Sequence, residues 1–166
     1  MKKRNLAAML TGALLFGYST WALAVDETST LSVSGTVVAN CNLSTASLDF
    51  GSSIDVLSGA NVETTATVAV TCTSGTAYDI GLDKGTHGTT VTDRKMKDAG
   101  TNNLNYQLFS NSGRTANWGE TVETDTVEGT GNGVEQSLTV YARIPSGQAT
   151  VPPGSYSDTV TVKVTY

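Results

Sequence analysis

The feature that most constrains the fold is a strict alternation of apolar and polar side chains at the end of the sequence. Val160, Val162, Val164 and Tyr166 alternate with threonine or lysine over residues 159–166, and Tyr156 shares the apolar parity. A period of two places the two sets on opposite faces of a β-strand. The same period recurs in five earlier runs, at residues 37–43, 66–72, 78–82, 104–108 and 138–144. No run has a helical period, so the pattern predicts an all-β fold.

Composition and turn signals narrow this prediction to a sandwich. Threonine occupies 27 of 166 positions, and its branched side chain favours strands over helices. Clusters of glycine, proline and small polar residues separate the runs, at 73–75, 84–90, 112–113, 129–133 and 152–154. A short extra strand is predicted at 48–50. Six or seven short strands in a chain of one-domain length predict an immunoglobulin-like β-sandwich.

The first 24 residues have the pattern of a secretory signal peptide. A basic start, Lys2-Lys3-Arg4, precedes an apolar run of 11 residues at 6–16, and Ala22-Leu23-Ala24 is a small-x-small cleavage pattern. We therefore predict cleavage between Ala24 and Val25. The run is far shorter than the roughly 20 residues of a membrane-spanning helix, so a membrane anchor is disfavoured. The mature chain would keep seven basic and fifteen acidic residues, and this net charge of −8 argues against nucleic acid as a partner.

The two cysteines, Cys41 and Cys72, both lie in the mature part. An even number of cysteines in an exported chain favours a disulfide, and only one pairing is possible. Each cysteine shares the parity of its strand's apolar residues, so the bond should join two neighbouring strands. A zinc site is disfavoured because two thiols and one distant histidine fall short of four ligands, and a catalytic thiol is disfavoured because no CxxC spacing is present.

Candidate catalytic and ligand-binding residues have simpler structural explanations. His87 lies in a turn-like segment, and no GxSxG motif accompanies it. Asp79 and Asp83 resemble a carboxylate pair for glycoside hydrolysis, but we expect them on a solvated sheet face. The acidic segment 120–135 is predicted to be a solvated loop, with a calcium loop as the alternative. Trp118 is interpreted as a partly buried loop anchor, with a sugar-stacking platform as the alternative. We predict no catalytic, cofactor-binding or metal-binding residue.

The two ends of the mature chain suggest an exchange of strands between molecules. Leu31 and Val33, with Gly35 and Val37, extend the apolar parity backward from the first strand. At the other end the final strand leaves no residues for the last strand of an immunoglobulin-like sheet. An uncovered edge beside an open core is a liability that proteins cover or complete. A strand donated by another chain would complete the sheet.

Several motifs resemble the spore coat protein U domain family. They are LTVYARIPSGQ at 138–148, VPPGSYSDTVTVKVTY at 151–166, LNYQLFS at 104–110 and NWG at 117–119. The resemblance covers nearly the whole mature chain, and the Pro-Gly-x-Tyr-x-Asp-Thr-Val ending is specific to this family.

The resemblance implies a subunit of an archaic chaperone-usher pilus, built as an incomplete immunoglobulin-like sandwich. Residues 1–24 would be the signal peptide, 25–34 a donor strand with Leu31 and Val33 as its apolar pegs, and 35–166 the pilin domain. The acceptor groove and the chaperone-facing last strand would present Val160, Val162, Val164 and Tyr166.

The implied partners are other copies of the subunit, a periplasmic chaperone and an outer-membrane usher. The expected location is a cell-surface pilus that supports adhesion or biofilm, reached by secretion through the periplasm, with no enzymatic activity, cofactor or membrane span. A spore or cell-surface coat protein is the alternative, and a carbohydrate-binding module is a weaker one.

Overall fold

The structure is a computed structural model that describes residues 23–166. The chain divides into two units, residues 1–35 and 36–166. In the first unit, residues 23–35 form no helix or strand and are exposed, including Ala24 and Val25 of the predicted cleavage site. The charged and apolar parts of the predicted signal peptide lie outside the described residues.

The second unit contains eight strands. They are β1 (Cys41–Thr45), β2 (Val62–Cys72), β3 (Ala77–Leu82), β4 (Arg94–Lys97), β5 (Asn103–Phe109), β6 (Val127–Thr130), β7 (Gln136–Ile144) and β8 (Val162–Thr165). A five-stranded sheet has the order β1-β2-β7-β5-β4, and a three-stranded sheet has the order β6-β3-β8. Every pairing is antiparallel. The predicted all-β sandwich is therefore confirmed.

The disulfide joins the first two strands. Cys41 and Cys72 are directly opposite each other in the β1–β2 ladder, and their sulfurs are bonded at 2.03 Å. Both side chains pack against the core, as the parity of their strands predicts. The bond therefore ties edge strand β1 to the long β2, which is itself paired with β7.

The core lies between the sheets, where the inward faces of both meet. Val70, Ile80 and Ala142 are completely buried in it. Trp118, which is 1% exposed, donates its indole N–H to the Ile80 carbonyl at 2.8 Å. Trp118 is thus an anchor that is fully rather than partly buried, and its ring has no free face for stacking a sugar.

The strand predicted at 37–43 is shifted, because β1 spans Cys41–Thr45. Two further strands were not predicted from the sequence, because each has four residues and lacks a run of alternating apolar side chains. β4 reads Arg-Lys-Met-Lys, and β6 contains Gly129 and lies inside the segment 120–135 that was predicted to be a loop. Gly129 is needed there because a Cβ atom would collide with the Tyr78 ring on the paired strand. The segment 48–50 forms no strand, so that prediction was wrong.

The last run of the sequence, residues 156–166, is a regular strand only in β8 (Val162–Thr165). Ser157 forms a bridge with Lys97 beside the five-stranded sheet, whereas Val162 onward pairs with β3 of the other sheet. The chain therefore crosses from one sheet toward the other between these points. This crossing explains why residues 156–166 do not form one continuous ladder.

Candidate functional site: a groove between the two sheets

The groove lies between two edge strands that each pair on one side only, within the part of the chain that the structure describes. Among residues 23–166, β1 pairs only with β2, and β8 pairs only with β3. The strand pairing shows which end of the sandwich holds the end of β8 and the start of β1. Thr165 pairs with Asp79 near the start of β3, which follows Cys72 closely in sequence, so the end of β8 and the start of β1 lie at the disulfide end of the sandwich.

The hydrogen bonds of the last run define which peptide groups face the open side. The N–H of Asp83 donates to the Thr161 carbonyl at 3.0 Å, and the N–H of Thr86 donates to the Thr159 carbonyl at 3.1 Å. Alternate residues of an extended chain direct their peptide groups to opposite sides. The N–H and C=O groups of the intervening residues, which are Val160, Val162 and Val164, therefore point to the open edge.

A cavity of about 300 Å³ lies beside this edge. Val160 and Val162 line it from the last run, and Ala66, Val68, Leu108 and Val140 line it from the five-stranded sheet. These side chains are apolar, so the cavity would accommodate apolar side chains from a strand laid along the edge. The predicted acceptor residues Val160, Val162 and Val164 are half-buried, and Tyr166 is 57% exposed.

A second cavity, of about 560 Å³, lies at the end away from the disulfide. The segment 48–56 lines one side, and residues 151–156 line the other. Phe50, Met96 and Tyr156 line both cavities, so the open space continues along the groove. The Phe50 ring also packs edge-on against Tyr106, with ring centroids 6.5 Å apart.

Asp158 is an acidic side chain in the wall of the first cavity. Its carboxylate accepts a hydrogen bond of 2.6 Å from the Tyr106 hydroxyl, and also accepts from the backbone N–H groups of Thr86 and His87. Burial and this contact raise the pKa of Tyr106, so the phenol stays protonated and remains a donor at neutral pH. These bonds hold the run before β8 against β5 and against the loop that follows β3.

Asp83 holds the next part of the same run. Its carboxylate accepts from the backbone N–H groups of Gly85 and Thr161, each at 2.9 Å. Partial burial acts to raise the pKa of Asp83, but these hydrogen bonds outweigh it, so the pKa lies below its ordinary value. Asp79 instead accepts a hydrogen bond from the Thr126 hydroxyl. The two carboxylates therefore have separate structural roles rather than a shared catalytic one.

Arg94 is a fully buried charged side chain that sequence reasoning did not find. Its guanidinium donates to four backbone carbonyls, at 2.7–2.8 Å. The acceptors belong to Leu82, Asp83, Val91 and Trp118. Arg94 begins β4 in one sheet and binds the end of β3 in the other, so it ties the two sheets together. Nothing in the charged segment around it distinguishes it from a solvated arginine.

The other candidates from the sequence are exposed residues or carry no ligand geometry. Leu31 and Val33 are 88% and 85% exposed. The His87 side chain is exposed, as expected for a turn. Within residues 23–166, no group of three or more His, Cys, Asp or Glu side chains could hold a metal ion. Over the same residues, no helix has the length and apolar character to cross a membrane.

Two solved structures share this architecture. One chain of the CsuC–CsuE chaperone–tip adhesion subunit pre-assembly complex, from the archaic chaperone-usher Csu pili of Acinetobacter baumannii, matches 79% of this chain with a TM-score of 0.58 and 24% identity. Our chain spans 40% of the length of that one. The P pilus rod subunit PapA matches 76% of this chain over 98% of its own length, with a TM-score of 0.54 and 15% identity. At these identities the likeness concerns the fold.

The sequence comparisons identify the family. Protein U of Myxococcus xanthus is 30% identical over 178 residues, which cover 99% of this chain and 98% of that protein. The model of the Spore Coat Protein U domain matches residues 27–163. The family indicated by the motifs at the C-terminal end is thus confirmed, and this chain belongs to the Spore Coat Protein U domain family.

Proposed function

We propose that this chain is a structural pilus subunit that polymerises by donor-strand exchange. The observation that carries the proposal is the open edge of β8, where the peptide groups of Val160, Val162 and Val164 have no ladder partner among residues 23–166 and lie beside an apolar cavity. Such an edge pairs readily with an added strand, because main-chain hydrogen bonds supply affinity and alternate side chains fill pockets. The fold shared with the Csu and P pilus structures supports this role.

The donor in this proposal is residues 25–34 of another copy. Leu31 and Val33 share one face of an extended strand, and both are almost fully exposed in the single chain. Burying an apolar side chain of this size contributes roughly 1.5–3 kcal/mol. Two such pegs, together with the completed ladder, give each joint of the polymer a substantial free energy.

Before assembly, a periplasmic chaperone would supply the missing strand, and an outer-membrane usher would exchange it for the next subunit. The Csu structure is a pre-assembly complex of a chaperone with a tip adhesion subunit, which supports the first of these partners. The product would be an extracellular fibre made of copies of this chain. The subunit needs no catalytic residue or cofactor for this role.

The test is the double variant Leu31→Asp/Val33→Asp, with Thr30→Asp/Ser32→Asp as a matched control. The control adds the same charge to the same segment but on the opposite face of the strand. We expect the first variant to fold, with the Cys41–Cys72 bond intact, and to form no fibres by electron microscopy. The control should form fibres. Fibres of normal length from the first variant would contradict the proposal.

A second candidate is a coat protein that covers a spore or cell without forming fibres. The family description and the 30% identity to Protein U favour it. In that case neither double variant would change the amount of protein retained at the surface, and electron microscopy would show a layer rather than filaments. The two variants therefore separate the candidates.

A further inference from the structure

We propose that copies of this chain attach side by side through the two outer faces of the sandwich, which carry opposite charge. The outer face of the five-stranded sheet of one copy lies against the outer face of the three-stranded sheet of the next. Both faces belong to the unit of residues 36–166. This contact is separate from the donor-strand joint, and it rests on the proposed function only for the fibre that repeats it.

Two lysines lie at one edge of the outer face of the five-stranded sheet. Arg94 is buried and Met96 packs against the core, so Lys95 and Lys97, which alternate with them on β4, point outward. Lys95 forms an ion pair of 2.9 Å with Asp93. The Lys97 ammonium has no ion-pair partner within residues 23–166. This edge therefore has a positive charge available to a partner.

Two arginines extend the positive charge across the middle strands of the same face. Arg143 of β7 lies opposite Glu63 of β2, and its guanidinium donates to that carboxylate at 3.0 Å. Arg114 forms an ion pair of 2.9 Å with the same carboxylate, and its guanidinium lies over the Tyr141 ring. One carboxylate thus serves two arginines. With the two lysines and Asp93, the face holds four cations and two carboxylates, a net charge of +2.

The outer face of the three-stranded sheet has the opposite charge. Asp79 of β3 lies directly opposite Glu128 of β6. Glu120 also lies on this face, because its Cα would be 3.0 Å from a side chain placed at Gly81, which alternates with the buried residues of β3. Lys163 of β8 lies opposite Gly81 and adds one positive charge. These three carboxylates and one cation give a net charge of −2.

The carboxylates of this second face have no ion-pair partner in their own chain, as far as residues 23–166 are concerned. Like charges directly opposite each other in a sheet are destabilising, and Asp79 and Glu128 form such a pair. Cations from another molecule would relieve this repulsion. The face around Lys95 and Lys97 of a second copy supplies them, and the charge of the two faces therefore selects which surfaces meet.

The two outer faces point in opposite directions, because the inward faces of both sheets meet in the core. A copy that uses both faces has one neighbour on each side, and such a heterologous contact repeats without closing. Three strands at a spacing of about 4.8 Å are roughly 14 Å wide, so one contact is small. We expect a single pair of copies to dissociate readily, whereas many contacts in parallel reinforce one another.

Beads coated densely with the purified chain, attached through its N-terminus, test the contact without requiring fibres. At about 0.1 M salt the Debye length is about 10 Å, so charges in contact attract while the repulsion between whole acidic molecules is screened. We expect the beads to cluster, and to disperse at about 1 M salt, where the Debye length is about 3 Å. Beads that stay dispersed at the lower salt concentration would overturn the contact.

Two double variants reverse the charge of one face each. Lys95→Glu/Lys97→Glu makes both faces acidic, and Glu120→Lys/Glu128→Lys makes both faces basic. Beads that carry either variant alone should cluster about tenfold less than wild-type beads, whereas a mixture of the two should cluster. Both variant chains keep a negative net charge, so attraction between whole molecules does not explain this rescue. A mixture that stays dispersed would overturn the pairing of the two faces.

The control adds the same charge as the lysine variant, but in exposed loop residues outside the strands, as Thr101→Glu/Ser146→Glu/Ala149→Glu/Thr150→Glu. It should cluster like the wild type. A loss equal to that of the lysine variant would assign the effect to net charge and overturn the proposal. The basic face could instead take an acidic polysaccharide. Beads that cluster only after alginate is added would assign the face to such a polymer and overturn the contact between copies.

Fibres from producing cells separate this inference from the proposed function. Wild-type fibres should lie side by side in bundles by electron microscopy, and Lys95→Glu/Lys97→Glu fibres should have normal length but remain single. Bundles of unchanged width from the variant would overturn the side-by-side contact and leave donor-strand exchange intact. Absence of fibres from the wild type would overturn the proposed function, and the clustering of the beads would then decide the contact by itself.

Discussion

Replacing Arg94 with methionine should destabilise the domain severely, although the substitution preserves most of the side chain's length and packing. The guanidinium satisfies four backbone carbonyls, and its bonds to Leu82 and Trp118 are fully buried. A buried polar group left without a partner costs about 1–3 kcal/mol. The two buried carbonyls alone therefore predict a loss of about 2–6 kcal/mol, a large part of a small domain's stability.

Urea unfolding of the purified chain measures this loss. Trp118, whose indole N–H is bonded to Ile80, reports the opening of the core through its fluorescence. With a urea dependence of about 2 kcal/mol per molar, a loss of 3 kcal/mol lowers the midpoint by about 1.5 M. The control is Lys97→Met on the same strand, whose ammonium makes no hydrogen bond or ion pair within residues 23–166 and which should shift the midpoint little. A midpoint for Arg94→Met equal to that of Lys97→Met would refute the role of the four carbonyl contacts.

Three further changes test other parts of the fold. Cys72→Ser opens the 31-residue loop to Cys41 and should cost about 3.7 kcal/mol in the chain-entropy model, measured by urea unfolding beside the wild type. Because the pKa of Asp83 is below its ordinary value of 3.8 in the fold, its ionised form stabilises the native state above that value, and this contribution is lost as the pH falls through the folded pKa. Asp83→Asn should therefore lower the melting temperature at pH 7 and much less at pH 2, and an equal loss at both values would refute the linkage. Gly129→Ala should destabilise the domain through its collision with Tyr78, whereas an unchanged melting temperature would show that the ring can move aside.

The sequence by itself determined the strands whose signal is local. The alternation at 78–82, 104–108 and 138–144 identified β3, β5 and β7 and their inward faces, because a strand's two faces follow directly from its period of two. The disulfide also followed from the sequence, since two cysteines allow one pairing. The motifs near the C-terminal end identified the family.

The tertiary structure decided everything that depends on partners distant in the sequence. Arg94 forms a buried set of hydrogen bonds only because the fold brings the Trp118 carbonyl, 24 residues away in sequence, to its guanidinium. Asp158 becomes part of a groove wall only because Tyr106, 52 residues away, donates to it. The final run alternates from Thr159 to Tyr166, yet the chain's crossing between sheets limits its regular strand to β8. Periodicity describes which way a side chain points, whereas the groove depends on which strands lie beside each other, and that is set by packing across the whole domain.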